Sequence, residues 1–155
     1  MKVIAVLALA LASAFAIPVY AQAQSADTMQ LVREKIKADK KLFVATNMQL
    51  TESEAKAFWP VYESYQNDLD KINDRVVKVI KDYAANFQTM TDEIADKLVA
   101  EAAAIEVDRT KQIQSYIPKL KKALPAKKVA RYYQLENKIR AVVNFDLAAN
   151  IPLVQ

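Results

Sequence analysis

Between Ala55 and Phe87 the apolar positions are Ala55, Phe58, Tyr62, Tyr65, Leu69, Ile72, Val76, Val79, Tyr83 and Phe87, in steps of 3, 4, 3, 4, 3, 4, 3, 4 and 4. Steps of three and four return to one side of an α-helix, whereas a half-buried strand needs a step of two. Sustained over this length, the alternation is a heptad seam, the pattern of helices packed side by side at a shallow angle. A helix from Thr51 to Phe87 is a rod of about 55 Å at 1.5 Å per residue. Pro60 falls inside it and is expected to bend it near its N-terminal end. Asp74–Lys78 and Lys78–Asp82 are spaced to support its outer face as i,i+4 pairs.

The remaining segments read as helices too. Leu31, Ile36, Leu42 and Phe43 are the main apolar groups of a first helix over about Asp27–Asn47. Thr51-Glu52-Ser53-Glu54 then has the form of a capping box, in which Thr51 accepts from the Glu54 N–H and the Glu54 carboxylate reaches back to the Thr51 N–H. Thr91 is an N-cap for a third helix, with Asp92 and Glu93 at the positive end of its dipole. Its apolar stripe through Ile94, Leu98, Ala102 and Ile105 is interrupted at Asp108 and Arg109 and resumes at Ile113, Tyr116, Ile117 and Leu120. Pro118 is expected to kink it late, and Leu124-Pro125 ends it. Pro125 then reads as the first residue of a fourth helix running to about Ala149. The apolar stretch Ile151-Pro152-Leu153-Val154 is expected to fold back onto the bundle. No strand-like alternation occurs, and connections of two or three residues favour antiparallel neighbours. The expected fold is therefore all-α: four helices, two of them long and bent, in an elongated antiparallel hairpin or bundle.

Composition removes many functions. The 155 residues include no glycine, cysteine or histidine, although a chain this long would ordinarily hold roughly eleven glycines. Glycine-rich phosphate loops, dinucleotide fingerprints and most tight hairpin turns are thereby excluded. So are thiol nucleophiles, ordinary zinc sites, haem ligation by histidine or thiolate, and the Glu-x-x-His di-iron arrangement. Carboxylates such as Asp92, Glu93 and Asp96 suit only hard cations, and first-turn acids have a simpler role beside the helix dipole. No enzyme activity and no cofactor are expected.

The first residues read as an address. Met1-Lys2 is a short basic start, Val3–Ile17 is an apolar run, and small residues allow cleavage after Ala21 or Ala23. This is the pattern of a secretory signal peptide, and a run of fifteen residues falls short of the roughly 20 that span a bilayer. The expected organisation is a cleavable signal over 1–23 and a single all-helical domain over 24–155, exported to a bacterial periplasm. No stable membrane insertion is expected after cleavage.

Charge is segregated along the chain. Residues 51–110 carry seven basic and thirteen acidic groups, whereas residues 111–140 carry nine basic groups and one acid. Lys119, Lys121, Lys122, Lys127, Lys128 and Arg131 straddle the turn between the third and fourth helices. They form a candidate surface for acidic or unfolded partners, against the plainer reading of a solubilising turn. Export argues against nucleic acid. Of the adjacent Tyr132 and Tyr133, helical geometry sends one to the core and one to solvent, and Tyr133 joins the candidate surface. Trp59, just off the seam, is a second candidate contact, with core or dimer packing as its alternative. The long helices and the 53% apolar content leave surface for a second copy or a ligand, so a homodimer is expected.

Leu50-Thr51-Glu52-Ser53-Glu54 and Met90-Thr91-Asp92-Glu93-Ile94 lie forty residues apart, and each opens a long helix. They resemble the paired LTxxQ motifs of the Spy/CpxP family of periplasmic stress proteins, with Glu54 and Ile94 standing where the family has glutamine. The resemblance spans roughly residues 27–145. It implies a cradle-shaped antiparallel dimer of bent helical hairpins and ATP-independent protection of unfolded envelope proteins. A single-partner regulator of an envelope-stress sensor, or a metal-stress accessory protein, is the alternative it implies.

Overall fold

The computed structural model describes residues 19–154, with side chains from Glu34 onward. The basic start and apolar run of the expected signal peptide lie outside these residues. Four helices follow one another: α1 over Val19–Met48, α2 over Glu52–Asn86, α3 over Asp92–Ala123 and α4 over Ala126–Asn150, with a short 3-10 turn at Phe87–Thr89. No strand occurs among the described residues. The protein is all-α.

The chain divides after Leu42 into two units. In the first, α1 begins at Val19, eight residues before the expected start. Ala21, Gln22, Ala23, Gln24 and Ala26 are good helix formers, and nothing between them and Asp27 stops a helix. Ile36 and Leu42 are exposed.

The second unit holds the core. Phe58, Tyr62, Tyr65, Leu69 and Ile72 on the α2 seam are buried, while Val76, Val79, Tyr83 and Phe87 further along are half-buried. The seam therefore faces its neighbour throughout and is most deeply covered in its first half. The neighbour is α3. Tyr65 O accepts from Gln112 Nε2 at 3.0 Å, and Tyr116 Oη donates to Asp68 at 2.6 Å. Arg75 reaches Glu101 and Asp108 at 2.8 and 2.7 Å. From Tyr65 and Asp68 to Arg75 the partners on α3 fall from Gln112 and Tyr116 to Asp108 and Glu101, so the two helices run antiparallel. At 35 and 32 residues each is roughly 50 Å long.

Helix α4 closes the wide end. Lys128 pairs with Glu54 and Gln66 with Glu136, so α4 runs parallel to α2. Val129, Tyr132 and Leu135 join Tyr116, Leu120 and Leu124 of the α3 end over the α2 aromatics. Val44 and Met48, the last turn of α1, complete this cluster, and both are fully buried. The sequence pattern pointed instead to Phe43, which is exposed. Tyr132 is the hub: its ring meets Phe58 edge-on at 5.1 Å and lies 6.1 and 6.2 Å from Tyr62 and Tyr65. Such tilted contacts add about 0.5–1.5 kcal/mol each beyond the area they bury.

Helix ends follow local chemistry. Thr51 Oγ1 accepts from Glu54 N at 3.3 Å and Thr51 N donates to Glu54 Oε2 at 2.8 Å, closing both bonds of the box. Thr91 Oγ1 accepts from Ile94 N at 3.3 Å. Pro125 is the N-cap of α4, one position before the expected one, and its carbonyl accepts from Lys128 and Val129. Pro60 and Pro118 lie on exposed faces inside α2 and α3, and both helices continue through them.

Candidate binding surface

The six cations around the α3–α4 turn separate into two groups. Lys119, Lys121, Lys122 and Lys127 stand exposed. Lys121 and Lys122 occupy the last turn of α3, where the helix dipole favours positive charge. Lys119 Nζ lies 4.1 Å from the centre of the Tyr116 ring, a cation–π contact that fixes its stem against the bundle. The Tyr116 hydroxyl is raised to about 12 by burial, reinforced by its hydrogen bond to Asp68. The Asp68 carboxyl is held below its usual range, first by Tyr116 and then by Lys71.

Lys128 and Arg131 turn the other way and hold the connection between α1 and α2. Lys128 Nζ donates to the Gln49 carbonyl at 2.8 Å and pairs with the Glu54 carboxylate. Arg131 Nη1 reaches Asn47 O at 3.5 Å and Gln49 Oε1 at 3.4 Å. The reason is local. Gln49 is the one positive-φ residue among those described, at φ +49°, and it ends α1 in the left-handed conformation that glycine usually supplies. Carbonyls at that helix end need donors, and α1 has no basic residue in its own last turn. Helix α4 supplies them. Glu54 is held below the usual carboxylate range by Lys128 first and the Thr51 N–H second.

The aromatic candidates also differ. Tyr132 is fully buried and Tyr133, on the same helix as Lys127, is 44% exposed. Trp59 is half-buried and packs edge-on against Phe58 and Tyr62 at 5.1 and 5.3 Å, joining the margin of the core.

Several features went unread in the sequence. Glu136 falls on the core stripe at Tyr132, Leu135, Glu136 and Ile139, and it is buried. Its partner is Gln66 Nε2, at 2.9 Å, which also reaches Tyr132 Oη at 3.3 Å. Burial first, then the Glu136 carboxylate, push the Tyr132 hydroxyl far above the usual tyrosine range. The break in the α3 stripe at Asp108 and Arg109 is filled from α2, by Arg75 on Asp108 and by Asn73 accepting from Arg109 at 3.3 Å. The signal was present as Asn73 and Arg75 flanking the seam.

The largest departure from ordinary packing is on α4. Every residue from Arg140 to Asp146 is exposed, including Val142 at 63% and Phe145 at 74%. A helix exposed on all sides is ordinarily polar on most of them, and this one is not. Among the described residues, no three acids are grouped as metal ligands, and Glu93 is tied to Lys97 at 2.7 Å. No helix there is long and apolar enough to cross a membrane.

Comparison with protein-family models, with curated proteins and with solved structures gives no match. Fold and surface together define an all-helical protein with an aromatic core, a basic turn where α4 begins and uncovered apolar side chains toward the end of α4.

Proposed function

We propose that the protein is an exported, periplasmic, ATP-independent holdase of the Spy/CpxP type that binds unfolded envelope proteins as a homodimer. The observation that carries this reading is the uncovered apolar surface of α4, on the same helix that begins with the exposed basic turn. Lysines at 119, 121, 122 and 127 provide long-range attraction for acidic or unfolded chains. Tyr133, Val142, Val143 and Phe145 offer weak, adaptable apolar contacts that suit many sequences. Further support comes from the two long helices opened forty residues apart by Thr51 and Thr91, each accepting the same N-terminal hydrogen bond at 3.3 Å.

A second reading rests on the same exposure. A partner with a fixed complementary face, such as the extracytoplasmic domain of a stress sensor, would cover Val142 and Phe145 equally well. Breadth of binding separates the two. Purified protein is mixed with two unrelated unfolding proteins and light scattering is followed at low and high salt. A holdase suppresses both near stoichiometric ratios, less well in salt. Suppression of neither eliminates the holdase reading in favour of the single-partner regulator.

A further inference from the structure

At the far end of the α2–α3 hairpin, remote in sequence from the basic turn, an open apolar groove holds a volume of about 240 Å³. Val79 and Tyr83 of α2, Leu98 and Val99 of α3, and Ile151 and Val154 from the segment after α4 line it, and no polar surface faces it. An apolar cavity of about 150 Å³ stays dry and takes up a benzene ring. This one has room for a Leu or Phe side chain and more.

The segment Ile151–Val154 shows what kind of ligand the groove accepts. Pro152 disfavours a helical conformation at the residue before it, and Ile151 is extended at φ −97° and ψ 115°. The segment leaves the helix at an extended Ile151, and Ile151 and Val154 line the groove. Its N–H at Ile151 still bonds the Leu147 carbonyl at the end of α4, and its hydrogen bond to the groove runs from Tyr83 Oη to the Pro152 carbonyl at 2.8 Å. A backbone carbonyl is a group that every peptide supplies. Ile151 is half-buried in the groove, whereas Leu153 is 88% exposed and Val154 57% exposed. The fit is partial, and the cavity is the space left unfilled. No charged side chain lines the groove, so nothing there would hold the head of a fatty acid. A tyrosine hydroxyl placed for a carbonyl favours a peptide.

We infer that this groove is a binding site for an extended apolar peptide segment, and that Ile151–Val154 is a built-in competitor that occupies it until such a segment displaces it. The inference does not depend on the holdase reading, because a single-partner regulator would also need a place to receive a segment of its partner. A bound segment keeps the Tyr83 hydrogen bond through its own carbonyl and places a large apolar side chain in the unfilled volume. Displacement costs little cohesion, because the segment gives up its one hydrogen bond to the groove, from Tyr83, and partly exposed apolar contacts.

The test uses a capped, fluorophore-labelled peptide copying residues 148–154, with fluorescence anisotropy on the purified protein. The variant Ile151→Ser/Val154→Ser releases the segment from the groove. If the groove is open about a tenth of the time in the unaltered protein, the variant binds the peptide about tenfold more tightly. Val99→Lys, at an exposed rim position, added to that variant abolishes binding while the thermal melt is unchanged. Tyr83→Phe weakens binding with the cavity intact. In the unaltered protein, saturating peptide moves the amide signals of Ile151, Leu153 and Val154 toward random-coil values, and this arm decides if the released variant does not fold. Equal binding to released and unaltered protein, binding insensitive to Val99→Lys, or equal binding of a control with serine at every Ile, Leu and Val overturns the inference. Octanoate binding without peptide binding would do so as well, making the groove a small-molecule pocket.

Discussion

Gln49 and Thr51 sit two residues apart and solve opposite problems at one turn. Gln49 takes positive φ in a chain that has no glycine, a conformation that costs an L-residue about 1–2 kcal/mol. The donors from Lys128 and Arg131 offset that cost. Gln49→Gly is expected to be tolerated, whereas Gln49→Val, β-branched where positive φ is worst, should lose about 2 kcal/mol in urea unfolding. Thr51→Ala breaks the capping box and is expected to cost about 1 kcal/mol. Thr91→Ala should cost less, because Ile94 cannot return the second bond. Titration follows from the same contacts. Glu54, Asp68, Glu101 and Asp108 all have lowered carboxyl pKa values in the folded protein. Their contribution is present above their ordinary values of 4.5 and 3.8 and is lost as pH falls through the folded ones. Tyr116 is raised from 10.0 to about 12, so its contribution is present below pH 10 and lost as pH climbs toward 12. Thermal melts should thus be flat between about pH 5 and 10 and fall on both sides. Asp108→Asn should shallow the acid limb.

Packing between elements rests on two different devices. At the wide end, α2, α3 and α4 meet through rings. Tyr132→Ala should cost about 3–5 kcal/mol, as for other large buried aromatics. Tyr132→Phe should cost about 1 kcal/mol, the worth of the hydroxyl to Gln66, and Tyr133→Phe should cost nothing measurable. Further along the hairpin the contact between α2 and α3 is polar at its margin, where one guanidinium serves two carboxylates. Arg75 is stabilised in its charged form by Glu101 first and Asp108 second. Removing it leaves both acids without that partner. Arg75→Ala should therefore lower the melting temperature more than Lys78→Ala, whose partner Asp82 is one turn away on an exposed face. The difference should narrow in high salt.

For the whole molecule, the division of the six cations predicts separable effects. On the holdase reading, replacing Lys119, Lys121, Lys122 and Lys127 with Gln should abolish suppression of aggregation and lower the melt only slightly, by the loss of the Tyr116 contact and the α3 dipole interaction. Lys128→Glu should instead destabilise the fold, because it places two carboxylates together and removes the donor from Gln49. If Phe145 lies in a dimer interface, sedimentation will show Phe145→Ser as monomer at concentrations where the unaltered protein is dimer. If Phe145 contacts clients, the same change lowers holdase activity without altering mass.

The amino-acid sequence determined the elements. A step of three and four, threonine caps and prolines after Leu124 and Ile151 are local rules, so four helices and most of their ends are legible without a fold, the start of α1 excepted. The sequence also determined that one of two adjacent tyrosines would be buried, though the choice of Tyr132 came from what α2 placed opposite. Only the tertiary structure decided which polar groups are committed. Lys128 and Lys127 are neighbours of identical chemistry, and nothing local tells them apart. Carbonyls at the end of α1, forced into the open by the left-handed Gln49, take one of them and leave the other in solvent. The groove beside Tyr83 has the same origin. Tyr83 and the Pro152 carbonyl it holds are 69 residues apart along the chain, and a periodicity reports which face of a helix is apolar but never what lies against it.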